Sequence, residues 1–189
     1  MEINKSDQSG NCVYGPQAGR DVNLNTHNYN SLNPTAMSRL IERYEEEERS
    51  GSKLHEIIRE LRHLANPNEC DVRGLKEKLE TSERRDLINQ AMQLKEMAAK
   101  ELIRAPNTES AQKIYSLVLG NIWSSFTNLV CPLIREGRSR AEVDAAIQKD
   151  VIAPAFDLLE LNPICLNQRD IMALYYFLAG NCHIAWDIE

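Results

Sequence analysis

The stretch NQRDIMALYYFLAGNCHIAW, Asn167 to Trp186, decides the fold. It contains a start signal, an apolar helix, a stop signal and an apolar tail. Asn167 predicts the N-cap of a helix beginning at Gln168, because its side chain can accept from an orphan backbone N–H of the first turn. From Ile171 to Leu178 nearly every residue is apolar or aromatic. A surface helix shows one apolar stripe, whereas this one is apolar all round and must be buried. Gly180 is expected at the left-handed position that ends a helix without a Cβ penalty. Beyond Asn181, Cys182, Ile184 and Trp186 alternate with His183, Ala185 and Asp187. That period of two predicts an extended segment laid on the helices, with Trp186 as its anchor beside Phe177 and Leu178.

Working outward, the same logic applies upstream. Ser139 and Glu142 have capping-box spacing, with Val143, Ala146 and Ile147 as the inner face of the helix that follows. Pro154 is expected to kink or restart that helix. Before it, Ser110 to Ile134 carries Ala111, Ile114, Tyr115, Val118, Ile122, Phe126, Leu129 and Leu133 at helical period. Leu117 and Trp123 lie off that stripe and call for a second neighbour. Pro132 threatens the last turn, because it removes a donor and crowds the carbonyl of Asn128. Gly137 ends the helix. A helix from Glu83 to Ile103 is expected behind Ser82, with Leu87, Ala91, Leu94, Ala98 and Leu102 inward. Asp71 is expected to cap a short helix through Leu79. Lys53 to Ala65 reads as an amphipathic helix with Leu54, Ile57, Ile58, Leu61 and Leu64 on one stripe. Asn33-Pro34 opens the helical part, with Met37, Leu40, Ile41 and Tyr44 inward and Ser50-Gly51-Ser52 as its stop.

The first 33 residues differ from the rest, being rich in Asn and Gly. Asn11 to Tyr14 and Arg20 to Tyr29 read as two short strands around a Gly15-to-Gly19 turn. A lone hairpin is marginal in water, and Val13, Val22 and Leu24 are too few for a core. Pairing with copies of itself is therefore expected, with Gly15 and Gly19 fixing the turn. The competing reading is a polar tail. The expected architecture is mainly α, a bundle of about six to eight helices over 34–189, with a β-hairpin over 1–33.

The ending YYFLAGNCHIAWD, with AQKIYSLVLGNIW, VCPLIREGRSRAEVDAAIQKDVIAPAFDLL and LNQRDIMALYYF, resembles the C-terminal helical domain of the ABC-three-component systems. DQSGNCVYGPQAGRDVNLN resembles a Gly/Asn-rich β element found ahead of such domains. The resemblance implies a bacterial conflict or antiviral defence system with protein partners: an ABC/SMC-like ATPase, a small middle component and an effector. It marks Asn167, Phe177, Gly180, Asn181, Cys182, His183 and Trp186 as a packing motif and carries no catalytic residue. Only about 33 residues precede the helical part, fewer than an enzyme domain needs, which favours an adaptor or regulatory subunit.

Composition agrees. The chain has 189 residues, 42% hydrophobic and 26% charged, with a formal net charge of −6. That acidity disfavours non-specific binding to nucleic acid or anionic membrane. No uninterrupted apolar run approaches a membrane span, and the N-terminus has no apolar leader core, so a cytoplasmic location is expected. The five cysteines, Cys12, Cys70, Cys131, Cys165 and Cys182, have no paired spacing and read as reduced, mostly buried thiols.

No nucleotide-binding loop, nucleophile elbow or zinc spacing is present, so no enzyme activity, cofactor or metal is expected. Cys182 and His183 are adjacent on an extended segment and point apart, which argues against a thiol–imidazole pair. His55 and His63 share a helical face but lack further converging ligands. Glu45 to Glu48 read as a solvated face, as do Lys53, Arg59 and Arg62 among their acidic neighbours. Arg84-Arg85 and the group Arg135, Arg138 and Arg140 are the local basic clusters. The second of these supports the alternative function, a small nucleic-acid-binding or nuclease-type effector. A third class, a small-molecule or peptide binder with a pocket between helices, leaves no mark in the sequence.

Overall fold

A computed structural model of the chain describes residues 34–54, 56–67, 73–104, 107–159 and 163–187. The hairpin expected from Val13, Gly15, Gly19, Val22 and Leu24 lies outside the described residues, as do Cys12, His55, Cys70 and Asp71. Among the described residues there are seven helices and no strand. They are α1 (Pro34–Ser50), α2 (Arg59–Ala65), α3 (Leu75–Thr81), α4 (Ile88–Arg104), α5 (Glu109–Arg135), α6 over 140–157, and α7 (Gln168–Gly180).

Helix α7 is the axis. It packs most extensively on α4 and also meets α3, α5 and α6. Such surroundings satisfy a helix that is apolar on every side. Ile171, Ala173, Leu174, Tyr175, Leu178 and Ala179 are all buried. Helix α5 is the second buried element, and α1 and α2 lie against it. By length and composition α5 could cross a membrane, but its Ile114, Val118, Leu119 and Ile122 face the bundle interior with no exposure.

Local signals set several helix ends. Asn167 accepts from the amides of Arg169 and Asp170, and Asp170 answers at the Asn167 amide, a complete capping box. Ser139 and Glu142 form another. Gly51 and Gly137 adopt φ +67° and +68° and close α1 and the end of α5.

Four expected segments change. Lys53 to Ala65 is helical only from Arg59. The Leu54 amide donates to the Asn107 carbonyl, the Ile58 amide donates to Gln112 Oε1 at 2.6 Å, and Gln112 Nε2 donates to the Glu56 carbonyl. The start of α5 takes hydrogen bonds that a longer helix would keep, and Ile57 ends 43% exposed. Next, α3 begins at Leu75 with Gly74, not Asp71, at its N-cap. Ser82 closes α3 instead of opening the next helix, its hydroxyl donating to the Lys78 carbonyl at 2.6 Å. A 3₁₀ turn, Arg85–Leu87, then leads into α4, which starts at Ile88 rather than Glu83.

Pro132 and Pro154 are absorbed by the same device. Ahead of Pro132, Phe126–Val130 is π-helical, and the Cys131 amide donates to the Phe126 carbonyl five residues back. Ahead of Pro154, Ile147–Ile152 is π-helical, and the Ala153 amide reaches the Gln148 carbonyl. Widening the coil makes room for a ring that crowds the preceding turn, so α6 runs on as Arg140–Ala146, Ile147–Ile152 and Ala153–Asp157 without restarting. The extra residue in each wide turn shifts the inner stripe. Leu129, expected inward, is 37% exposed, and Val130 is fully buried in its place. Leu129→Ser should therefore shift stability by less than about 0.5 kcal/mol, while Val130→Ala should cost about 2 kcal/mol, in paired urea melts.

Candidate functional site

The tail after α7 is tied to the end of α2, to Arg73, to α3 and to Arg84. The last turn closes through the His183 amide on the Leu178 carbonyl at 2.9 Å and the Cys182 amide on the Ala179 carbonyl at 3.3 Å. The left-handed residue of this cap is Cys182, at φ 65°, and not Gly180. Gly180 remains helical, and a Cβ there would meet the Lys95 side chain at 2.5 Å. The absent side chain leaves room for the Lys95 side chain of α4, and the left-handed position falls two residues beyond the glycine.

Asn181 is buried, and its Nδ2 donates to the Ala65 carbonyl at 2.8 Å. Cys182 Sγ lies 3.4 Å from the Arg73 carbonyl, and His183 Nε2 donates to the Asn66 carbonyl at 3.1 Å. The thiol and the imidazole thus have separate partners. Asp187 accepts from Thr81 Oγ1 at 2.6 Å and pairs with Arg73. Trp186 is 5% exposed, and its Nε1 donates to the Tyr175 hydroxyl at 2.7 Å. Its ring neighbours are Tyr175 and Tyr176, with centroids at 5.9 and 6.4 Å, rather than Phe177, which is buried nearby on α7.

Two basic residues complete this anchor. Lys78 is fully buried, and its ammonium donates to the carbonyls of Ala179 and Ile184, each at 3.1 Å. The sequence carries a signal for it: Lys78 sits three residues after Leu75 and beside Leu79, on the inward stripe of α3. Arg84, read with Arg85 as a local basic cluster, is 5% exposed, stacked 5.8 Å from the Trp186 ring and bonded to Asp144 at 3.0 Å.

The group Arg135, Arg138 and Arg140 does not form a free basic patch. Arg140 holds Asp86 through two bonds at 2.8 and 2.7 Å and also pairs with Asp144. Arg138 pairs with Glu136 and Glu142. The Arg140 guanidinium holds the Asp86 carboxyl below its ordinary range. In the acidic run, Glu47 is set apart from its exposed neighbours: its carboxylate accepts from the Ser110 amide at 3.0 Å, at the start of α5. Burial alone would raise its pKa, but the Ser110 and Thr108 bonds and Arg43 outweigh that and lower it.

Of the described cysteines, Cys131 is buried, Cys182 is half-buried and Cys165 is exposed, the last against expectation. Among the described residues no group of three or more His, Cys, Asp or Glu side chains comes together as a metal would need. His63 meets His183 edge-on at 6.1 Å, and Trp123 meets His183 at the same distance. Among the described residues, clefts include one of about 170 Å³ at Tyr115 and Asp170 and one of about 230 Å³ at Arg84 and Trp186.

A family model described as C-terminal domain 9 of the ABC-three component (ABC-3C) systems matches residues 74–186. The match runs from the start of α3 to Trp186, leaving α1, α2 and the N-terminal Gly/Asn-rich stretch outside it. No curated protein and no solved structure matches.

Two outcomes follow from the anchor. Lys78→Met strands two buried carbonyls and should cost about 2–3 kcal/mol by urea denaturation, with an unchanged dependence on denaturant. Burial lowers the His183 pKa below 6.5, with His63 and Lys78 adding to the effect and the Asn66 carbonyl opposing it. The folded chain therefore prefers the neutral ring. Its contribution is complete above pH 6.5 and is lost as pH falls from there through the depressed folded value. Melting temperature should drop across that window in the parent, and His183→Gln should flatten the slope there. The drop at lower pH from Glu47 and Asp86, whose pKa values are lowered, should remain.

Proposed function

The chain belongs to the family of C-terminal domain 9 of the ABC-three component systems, and from that premise we propose that it is a non-enzymatic adaptor or regulatory subunit that docks on another component of its system. Membership of a multi-component system implies partner proteins. The observation that carries the docking role is the set of large apolar side chains left outside the core of α4 and α5. Ile103 is 81% exposed, Trp123 39%, and Leu129, Met92 and Met97 stand out beside them. Exposed aromatic and aliphatic anchors of this kind mark interfaces when a partner is known to exist. The matching partner is an ABC/SMC-like ATPase or an effector component, met in the cytoplasm, in a system acting in antiviral defence. The N-terminal stretch around Val13, Val22 and Leu24 adds self-association.

Light scattering of the full chain, alone and mixed with the purified ATPase and effector components of its own system, tests this. A mass above the monomer alone, and a stable heterologous complex on mixing, are expected. Ile103→Ser should weaken that complex at least about tenfold without lowering the melting temperature of the chain. A monomer that forms no complex with any component would overturn the proposal.

A further inference from the structure

The family match begins at residue 74, so α3 to α7 make up the matched domain, and α1, α2 and the link between them lie across it as an added layer. Both helices of this layer pack mainly on α5. Their apolar hold is small. Among the described side chains of α1 and α2, Met37, Ile41, Leu61 and Leu64 are the buried ones, whereas α7 by itself buries eight.

Polar contacts fasten the layer instead, and they converge on one short stretch. Arg43 pairs with Glu109 at 2.9 Å, and the Glu47 carboxylate accepts from the Ser110 amide at 3.0 Å. The Leu54 amide donates to the Asn107 carbonyl at 2.6 Å. Gln112 accepts from the Ile58 amide and donates to the Glu56 carbonyl. Helix α1, the link and the entry to α2 are thus all held at residues 107–112, where α5 begins. A second fastening lies at the far end of α2, where the tail reaches it through Asn181 to the Ala65 carbonyl and His183 to the Asn66 carbonyl.

Opening exchanges each such hydrogen bond for one to water, so each holds the layer only weakly, and an exposed ion pair such as Arg43 with Glu109 adds little. Proteins open locally where buried apolar contacts are few. Helix α2, with seven residues, is too short to persist once it leaves α5. Because both helices share the fastening at 107–112, release there frees both.

We propose that α1, the link and α2 form a strap that opens from α5 as one unit while α3 to α7 stay folded. Opening uncovers the face of α5 beneath the strap, and the strap controls access to that face. This device rests on the packing within the chain and not on the docking role of the exposed side chains.

Hydrogen exchange of the full native chain, read by mass spectrometry at urea concentrations below the unfolding transition, tests it. Amides of α1 and α2 should share one degree of protection, at least about a hundredfold below that of α4 and α7. Their exchange should depend less on urea, because opening the strap exposes less surface than unfolding the chain. Val130→Ala, inside the bundle and away from the strap, should speed exchange in α4 and α7 more than tenfold and leave the strap unchanged. Ser110 is fully buried where Glu47 meets α5. In Ser110→Cys, iodoacetamide labelling at that position should follow the opening of the strap rather than that of α7. Protection of α1 and α2 equal to that of α7, unequal protection of the two, strap exchange that speeds up in Val130→Ala, or labelling at position 110 that follows α7 overturns the proposal.

Discussion

A buried ammonium holds the end of the chain in place. Lys78 on α3 donates to one carbonyl in the last turn of α7 and to another in the tail beyond it. A fully buried charge is tolerable only where hydrogen bonds replace water, and the C-terminal end of a helix, with its outward carbonyls and partial negative charge, is such a place. The consequence spreads. With Ile184 fixed, Trp186 reaches the Tyr175 hydroxyl, and Asp187 reaches Thr81 and Arg73. The end of helix α7 and its tail are thereby tied to α3, while the larger contact of α7 is with α4.

The second constraint is the pair of prolines. Each would normally end a helix, and each instead follows a π-helical turn that carries the chain past it. The two wide turns lie against one another, between α5 and α6. Wide turns displace side chains by one register position, which is why Val130 occupies the core and Leu129 does not. The bundle keeps two long helices across positions that would otherwise divide them, and its central layer stays continuous.

Charge is used mainly within the molecule. Arg140, Arg138 and Arg84 are committed to carboxylates, and Glu47 is committed to the first turn of α5. Large apolar groups are left over outside the core on α4 and α5, Ile103 the most exposed of them. Helices α1 and α2, outside the family match, cover a different part of α5 and add a layer that the family domain itself does not specify.

The sequence by itself determined whatever depends on a few neighbouring residues: the boxes at Asn167 and Ser139, the stops at Gly51 and Gly137, the burial of α7, and the family carried by the chain from α3 to Trp186. These are decided within one or two turns, where a side chain meets its own backbone. Lys78 stood on the inward stripe of its helix and was legible in principle, but a lysine there reads as a solvated charge until its acceptors, 101 and 106 residues away, are in place. Only the tertiary structure decided that Glu56 and Ile58 stay out of the helix and bond the amide of Gln112, that Arg84 goes inside, that Cys182 and not Gly180 takes the left-handed turn, and that the stripe slips at Val130. Each is a contest between a local preference of about 1 kcal/mol or less per residue and a buried hydrogen bond or packing contact of equal or greater size, supplied by a distant part of the chain.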